Sequence, residues 1–187
     1  MILLHPYDDF AAHAVLSRLD PFDFWEAELT RGVATNHLAL FADWRAMEPH
    51  RIISHVAHTG PDRGAVPFAV FALINTGQAG VAAAAMLARD HAIYRRPMAE
   101  LAITMRAELP GFAAKHGIHR IEARAWAGHP TASRLLYALG FRPECSMPGF
   151  GADGAVVFHQ FAWVTPAHIA RLPQPDQIHI PSPETGA

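Results

Sequence analysis

The stretch HRIEARAWAGHPTASRLLYALGFRPE, residues 119–144, decides the fold of this chain. Its first third alternates apolar Ile121, Ala123 and Ala125 with charged residues, and this period of two predicts a half-exposed β-strand. The segment PTASRLLYALG then predicts a short helix, which ends at Gly140 because glycine adopts the left-handed conformation of a helix stop. A second strand begins in RPECSM. The stretch is therefore predicted to be a strand–helix–strand unit.

The segments on either side of this unit predict a mixed layer of helices and strands. A first strand is predicted in MILLHPY, and three helices in DDFAAHAVLSRL, DPFDFWEAELTRG and TNHLALFADWRAM. Short turn clusters then separate three strands of an antiparallel meander, RIISHVAHTG, VPFAVFALIN and GVAAAAMLARD. A long helix follows in RRPMAELAITMRAELPGFAAKHG, where Pro110 should bend or interrupt it, and the last strand is AVVFHQFAWV.

These elements predict one α+β domain over residues 1–164. Its sheet should be mixed but mainly antiparallel, with about six to seven strands and helices on both faces. Residues 165–187 form a tail with five prolines in 23 residues, which excludes regular structure for most of it. The segment IHI within this tail is a candidate strand for addition to a sheet edge, in a homo-oligomer or on another protein partner. A disordered terminus is the alternative.

Composition sets limits on the functional class. Hydrophobic residues make up 51% of the 187 residues and charged residues 17%, which is ample for a buried core. The formal net charge of -2 gives no basic surface of the kind that binds nucleic acid. No apolar run approaches the roughly 18 residues of a membrane span. The single Cys145 cannot form an internal disulfide, which favours a reducing compartment, and we expect a cytoplasmic protein.

The strand–helix unit that ends in LGF resembles the GCN5-related N-acetyltransferase (GNAT) superfamily. The segment HRIEARAWAGHPTASRLLYALGF corresponds to the fifth strand and fourth helix of that family, running into its LGF signature. More narrowly, LDPFDFWEAELTRG, the apolar strands after it and SRLLYALGF are similar to acetyltransferase-like proteins of tailed phages and prophages. The resemblance covers residues 1–164 and leaves the tail out.

The resemblance implies that acetyl-CoA or another acyl-CoA lies between two diverging strands, here VAAAAMLA and RIEARAW. Backbone amides of Met86, Leu87 and Ala88 would then pair with the pantetheine arm. The acyl group would pass to an amine on a small molecule or a protein, and neither the acceptor nor the oligomeric state is predicted. The GNAT resemblance thus implies an N-acyltransferase.

The phosphate-binding loop departs from the family pattern, which is Arg or Gln, two residues, Gly, one residue, and Gly or Ala. Arg89 fits the first position, but Ala92 and Tyr94 stand where glycines are expected. The bulky Tyr94 should hold phosphate oxygens away from the backbone amides. Two further arginines, Arg95 and Arg96, could bind phosphate together with Arg89, since guanidinium groups bind phosphate well. Solvated arginines before a helix are the alternative.

The proton-transfer residues depart from the family as well. Many GNAT enzymes place a tyrosine five residues before the phenylalanine of LGF, and that position is Leu136. Tyr137 is one residue later, about 100° further round the helix. His91 and His129 are the other candidates for acid or base, because histidine titrates near neutral pH. Each histidine could instead be an ordinary turn residue.

The thirteen histidines show no spacing typical of a metal site. The sequence contains neither an HExxH motif nor paired CxxC motifs, so no metal site is predicted. Glu26 and Glu28 are two residues apart on a helix and cannot face one another. The phage-type resemblance implies that one of them, with Asp20 and Asp23, lines the acceptor side. The alternative is that these acids only balance the helix dipole.

Two other functional hypotheses remain beside acyl transfer. The missing glycines and the shifted tyrosine favour a catalytically lapsed phage or prophage structural protein, associated with the virion, that keeps the fold. A small-ligand binding module would use the same cleft without turnover.

Overall fold

In the computed structural model, residues 1–165 are described, and they form one sheet of seven strands with five α-helices. The strands are β1 (Ile2–Pro6), β2 (Arg51–Thr59), β3 (Pro67–Asn75), β4 (Val81–Ala88), β5 (Arg120–Trp126), β6 (Arg142–Phe150) and β7 (Val156–Val164). The helices are α1 (Asp9–Leu16), α2 (Pro21–Arg31), α3 (His37–Ala46), α4 (Arg95–Lys115) and α5 (Ala132–Leu139).

The strand order is β1-β2-β3-β4-β5-β7-β6, and every neighbouring pair is antiparallel except β4 and β5. The predicted meander of β2, β3 and β4 is therefore confirmed. The α+β class and the mainly antiparallel sheet are confirmed too. In the last hairpin the second strand, β7, pairs with β5, and the first strand, β6, forms the edge of the sheet.

The single parallel pair holds together only at one end. Val81 pairs with Arg120 and Ala83 with Glu122, and beyond these residues β4 and β5 diverge. Gly80 fixes the closed end, because its carbonyl accepts hydrogen bonds from the amides of His119 and Arg120 at 2.9 and 3.2 Å. From there to their C-terminal ends the two strands are not paired with each other, which opens a wedge-shaped gap in the sheet.

Helices cover the two faces of the sheet, as alternation along the strands requires. On one face, α1 and α3 pack against Val56, Val70 and Ala72. On the other, α4 packs through Leu101 against the cluster that contains the neighbouring Ala69. The core is thus divided by the sheet into two layers.

Two local predictions need correction. Helix α4 continues through Pro110 to Lys115, so of the two predicted effects of this proline, a bend or an interruption, the interruption does not occur. Strand β6 extends beyond the predicted RPECSM, because Phe150 still pairs with Val156 of β7. The tail prediction concerns residues 165–187, of which 166–187 lie outside the described residues. No helix within residues 1–165 is both long and apolar enough to cross a membrane.

Candidate active site

A cavity of about 1340 Å³ opens where β4 and β5 diverge. Residues of α2, α4 and α5 complete the lining that the two strands begin, and most of the lining is apolar. Pockets for drug-sized ligands are roughly 300–1,000 Å³, so this cleft has room for a long ligand. We call it the β4–β5 cleft.

Helix α2 lies across the open end of this cleft. Its N-terminus is fixed by Asp20, which accepts the amide of Phe22 at 3.0 Å, and by Pro21 in the first turn. One turn later the carboxylate of Asp23 reaches the end of β4, where its Oδ2 accepts the amide of Ala88 at 2.6 Å. Asp23, an acid in the first turn of α2, therefore joins this helix to the end of β4, in addition to any effect on the helix dipole.

Two histidines meet on the other oxygen of the same carboxylate. Nε2 of His129 lies 2.9 Å from Oδ1 of Asp23, and Nε2 of His91 lies 3.0 Å from it. The three residues come from α2, from the loop after β4 and from the turn before α5. Their side chains are 11%, 17% and 2% exposed for Asp23, His91 and His129, respectively. The structure thus brings together both histidines that the sequence singled out.

The protonation of His129 follows from its other ring nitrogen. Nδ1 accepts the backbone amides of Thr131 and Ala132 at 3.2 and 3.0 Å, so Nδ1 carries no proton. The ring proton is then on Nε2 and is donated to Asp23. His129 also caps α5, since these amides have no acceptor within the helix.

This tautomer argues against a metal ion. Ligand atoms of Asp23, His91 and His129 lie within 4.8 Å of one another, a two-histidine, one-carboxylate set. A histidine that binds metal through Nε2 normally donates a proton from Nδ1. Here Nδ1 of His129 faces two amide donors instead, so the set fits a hydrogen-bonded array better than a metal centre.

The array holds opposite charges on Asp23 and His91. Burial by itself raises the pKa of Asp23, but hydrogen bonds from His129, His91 and the Ala88 amide outweigh it and leave the pKa lowered. Burial likewise lowers the pKa of His91, yet the hydrogen bond and charge of Asp23, with the charge of Asp20, raise it overall. The pair therefore favours a carboxylate beside an imidazolium.

Glu26 supplies a second carboxyl group to the cleft. It lies one turn after Asp23 on the same face of α2, and its Oε2 is buried without a hydrogen-bond partner. Burial raises its pKa to about 7, although the electrostatic influence of His129 and a hydrogen bond with the backbone of Trp126 on β5 oppose the rise. Glu28 turns away and accepts the Thr35 amide at 3.0 Å. Of the two glutamates, Glu26 is the one at the cleft.

The loop after β4 already has acceptors for its amides. The amide of His91 donates to Oδ2 of Asp20 at 2.8 Å, and those of Ala92 and Ile93 donate to Oδ1 of Asp90 at 3.1 and 2.9 Å. Carboxylates thus occupy the positions that phosphate oxygens would need, and their charge repels phosphate. The sequence identified the missing glycines but not this replacement.

Tyr94, the last residue of this loop, packs against the core cluster that contains Phe68. Its ring stacks on Phe68 with centroids 5.5 Å apart, and the guanidinium carbon of Arg89 lies 5.4 Å from the ring centroid. Arg89 also donates from Nη1 to the carbonyl of Pro67 at 2.8 Å, outside the β4–β5 cleft. Arg89 therefore supports the loop, although it matched the family pattern.

The other predicted cofactor residues divide between cleft and solvent. Arg95 lines the cleft and Arg96 is exposed at the start of α4. Met86, Leu87 and Ala88 all line the cleft. The amide of Ala88 donates to Asp23, however, so the predicted pairing of this amide with pantetheine is not available in this arrangement.

Tyr137 lies apart from the other candidates. It is 45% exposed, and its ring meets Phe161 edge-on at 5.7 Å between centroids. Its neighbours Leu135 and Leu136 line the cleft, whereas Tyr137 is not among the described residues that do so. The rotation expected from its position in the helix accounts for this placement.

Sequence comparison finds no matching family model and no matching curated protein. Solved structures do match. A GNAT-family acetyltransferase from Bacillus anthracis has a TM-score of 0.65 at 11% identity, covering 87% of this chain and 94% of its own. The spermidine N-acetyltransferase of Vibrio cholerae, in complex with CoA and spermine, has a TM-score of 0.62 at 12% identity. The match covers 90% of this chain and 98% of that one.

A further match has the same character. The GNAT superfamily phosphinothricin acetyltransferase of Sinorhizobium meliloti, in complex with acetyl-CoA, has a TM-score of 0.61 at 12% identity, and the coverage is 95% of this chain and 97% of that one. Identities this low establish the fold alone. The chain has the GNAT fold, and the narrower likeness to phage proteins stays a prediction.

Proposed function

We propose that this protein is an N-acyltransferase that takes an acyl group from an acyl-CoA-type thioester and passes it to an amine. One observation carries the proposal: β4 and β5 diverge into a cleft of about 1340 Å³ that contains the carboxyl group of Glu26, whose Oε2 is buried without a hydrogen-bond partner. The matching folds that hold CoA or acetyl-CoA support the same donor class. The acceptor amine is unidentified.

The free edges of the two strands suit the donor arm. Pantetheine is an extended chain with two amides, and an unpaired strand edge offers amide and carbonyl groups in the spacing that extended chains bind. On β4 the available segment runs from Ala84 to Leu87, because Ala83 is paired and the Ala88 amide is bound by Asp23. This segment is the proposed binding surface for the pantetheine arm.

Glu26 suits the role of general base. An amine acceptor must lose a proton as it attacks the thioester, and a base with a pKa near the working pH does this best. Burial raises the pKa of Glu26 to about 7, and its free Oε2 can accept a proton without breaking another hydrogen bond. Neither Tyr137 nor Glu28 reaches the same place.

The nucleotide end of CoA should contribute little to binding. Asp20 and Asp90 take the loop amides, and among the three predicted arginines Arg95 is the one that lines the cleft. We therefore expect acetyl-CoA and acetyl-pantetheine, which lacks the nucleotide, to bind with affinities within about tenfold of one another.

Calorimetry on the purified protein tests the proposal with both thioesters. Binding of both, with Glu26→Gln retaining affinity but losing most turnover with an amine panel, would support it. Glu28→Gln is the matched control, since Glu28 is on the same helix and turned from the cleft. Absence of binding by either thioester at millimolar concentration would refute the proposal and favour the lapsed protein, a hypothesis that the carboxylate-filled loop supports.

A further inference from the structure

Thr131 occupies the N-cap of α5 without capping it. A threonine there usually accepts an amide of the first turn through its hydroxyl oxygen, but the Thr131 side chain makes no such bond. Nδ1 of His129 takes the first amides of the helix instead. The hydroxyl of Thr131 is thereby released for another contact.

That contact is with His91. Oγ1 of Thr131 lies 3.1 Å from Nδ1 of His91, whose Nε2 lies 3.0 Å from Oδ1 of Asp23. A hydroxyl, an imidazole and a buried carboxylate thus form a continuous chain. Asp23 and His91 are largely buried, whereas Thr131 is exposed and lines the β4–β5 cleft. The order is that of a nucleophile, a base and the group that orients the base.

We propose that Thr131, His91 and Asp23 are a nucleophilic triad, and that Thr131 accepts the acyl group covalently. The proposal shares with the proposed function only its substrate class, an activated acyl group. It adds a second activity, hydrolysis of acyl thioesters and esters through an acyl-threonine enzyme. Glu26 has no part in it.

The first half-reaction transfers the acyl group to the protein. In the neutral form of His91, whose Nδ1 carries no proton, Oγ1 of Thr131 bonds to the acyl carbon while its proton moves to that Nδ1. The carbon–sulfur bond then breaks, and the sulfur leaves with the proton from His91 as a thiol. Asp23 accepts the Nε2 proton of His91 throughout and holds the ring in place.

The second half-reaction releases the acid. His91 takes a proton from water, and the hydroxide oxygen bonds to the acyl carbon. The bond from that carbon to Oγ1 of Thr131 breaks, and the proton on His91 returns to Oγ1. The product is a carboxylic acid, no electrons are transferred to an external acceptor, and the protein is regenerated.

The first turn of α5 can stabilise the oxyanion in both steps. The amide of Leu135 bonds to the Thr131 carbonyl, and His129 takes the amide of Ala132. The amides of Ser133 and Arg134, between them, have no acceptor within a helix at this position. Such amides beside the nucleophile stabilise negative charge on the attacked carbonyl oxygen.

The test uses the intact protein and p-nitrophenyl acetate, an activated ester without CoA. We expect a burst of p-nitrophenol approaching one equivalent, and the mass of one acetyl group on the peptide that contains Thr131. Thr131→Ala should abolish both and Thr131→Ser should restore them. Ser17→Ala is the control, because it removes an exposed hydroxyl that does not line the β4–β5 cleft. His91→Gln should slow the burst at least about a hundredfold.

Thermal melting of each variant shows that it is folded. Acylation of Thr131 without any binding of acetyl-CoA would support the triad while refuting the proposed function. Acetyl transfer to an amine with no acyl-threonine, or a burst unchanged in Thr131→Ala, would overturn the triad and leave the proposed function standing.

Discussion

Replacing Glu26 by glutamine should stabilise the protein at alkaline pH. Burial raises the pKa of this carboxyl group from 4.5 to about 7, so above neutral pH the folded protein must hold a carboxylate with no partner for Oε2. Glutamine keeps the shape of the side chain and does not ionise. The substitution therefore removes the free-energy cost of burying a carboxylate, which the wild-type chain has only in the folded state.

The size and sign of the effect follow from the two pKa values. The folded state binds the proton of Glu26 more tightly than the unfolded state does. Protonated Glu26 therefore contributes fully to the unfolding free energy of the wild type below pH 4.5, and this contribution is lost as the pH rises through about 7. The difference, 7 − 4.5 = 2.5 units, corresponds to about 3 kcal/mol in full. Between pH 5 and pH 9 the difference in unfolding free energy between Glu26→Gln and wild type should grow by about 2.5 kcal/mol.

Urea unfolding of both proteins at pH 5, 7 and 9 measures this change. Other titrating groups affect both proteins alike, so they cancel in the difference. Glu48→Gln, which removes an exposed carboxylate, controls for the loss of one negative charge. If the difference between Glu26→Gln and wild type is the same at all three pH values, the account of Glu26 as a buried carboxyl group whose Oε2 has no partner is wrong.

Two further predictions concern the loop and the closed end of the gap. Asp90→Ala should tighten CoA binding by about tenfold in calorimetry, because it frees the amides of Ala92 and Ile93 and removes a repelling charge; unchanged affinity would contradict this. Gly80→Ala should lower stability by about 2 kcal/mol in urea unfolding, since its φ is +71° and a Cβ would lie 2.1 Å from His119. Gly77→Ala, with a φ of +83° and nothing within 4 Å of its Cβ, has the same backbone strain without the clash and should cost less.

The loop after β4 shows how far the sequence could go toward the site. The pattern from Arg89 to Tyr94 correctly indicated a loop without the glycines that bind phosphate. It did not indicate that Asp20, from a distant helix, and Asp90 hold the amides, because such bonds depend on where α2 packs. A sequence signal existed for Asp90 alone, which stands where an acidic residue caps the amides two and three positions later.

The sequence by itself determined the framework of this protein. Alternation along β5, the glycine that ends α5 and the turns between β2, β3 and β4 are local signals, since they depend on backbone preferences and on neighbours a few residues away. The same locality showed that Tyr137 is rotated from the position of the family tyrosine.

Only the tertiary structure decided which side chains meet in the cleft. Asp23 and His129 are 106 residues apart and Thr131 and His91 are 40 apart, and no spacing along the chain encodes their hydrogen bonds. The pKa of Glu26, the tautomer of His129 and the contact of the Thr131 hydroxyl with His91 depend on burial and on which groups face each side chain. These properties arise only when α2 closes over the gap between β4 and β5, because packing of distant segments creates the environment that sets them.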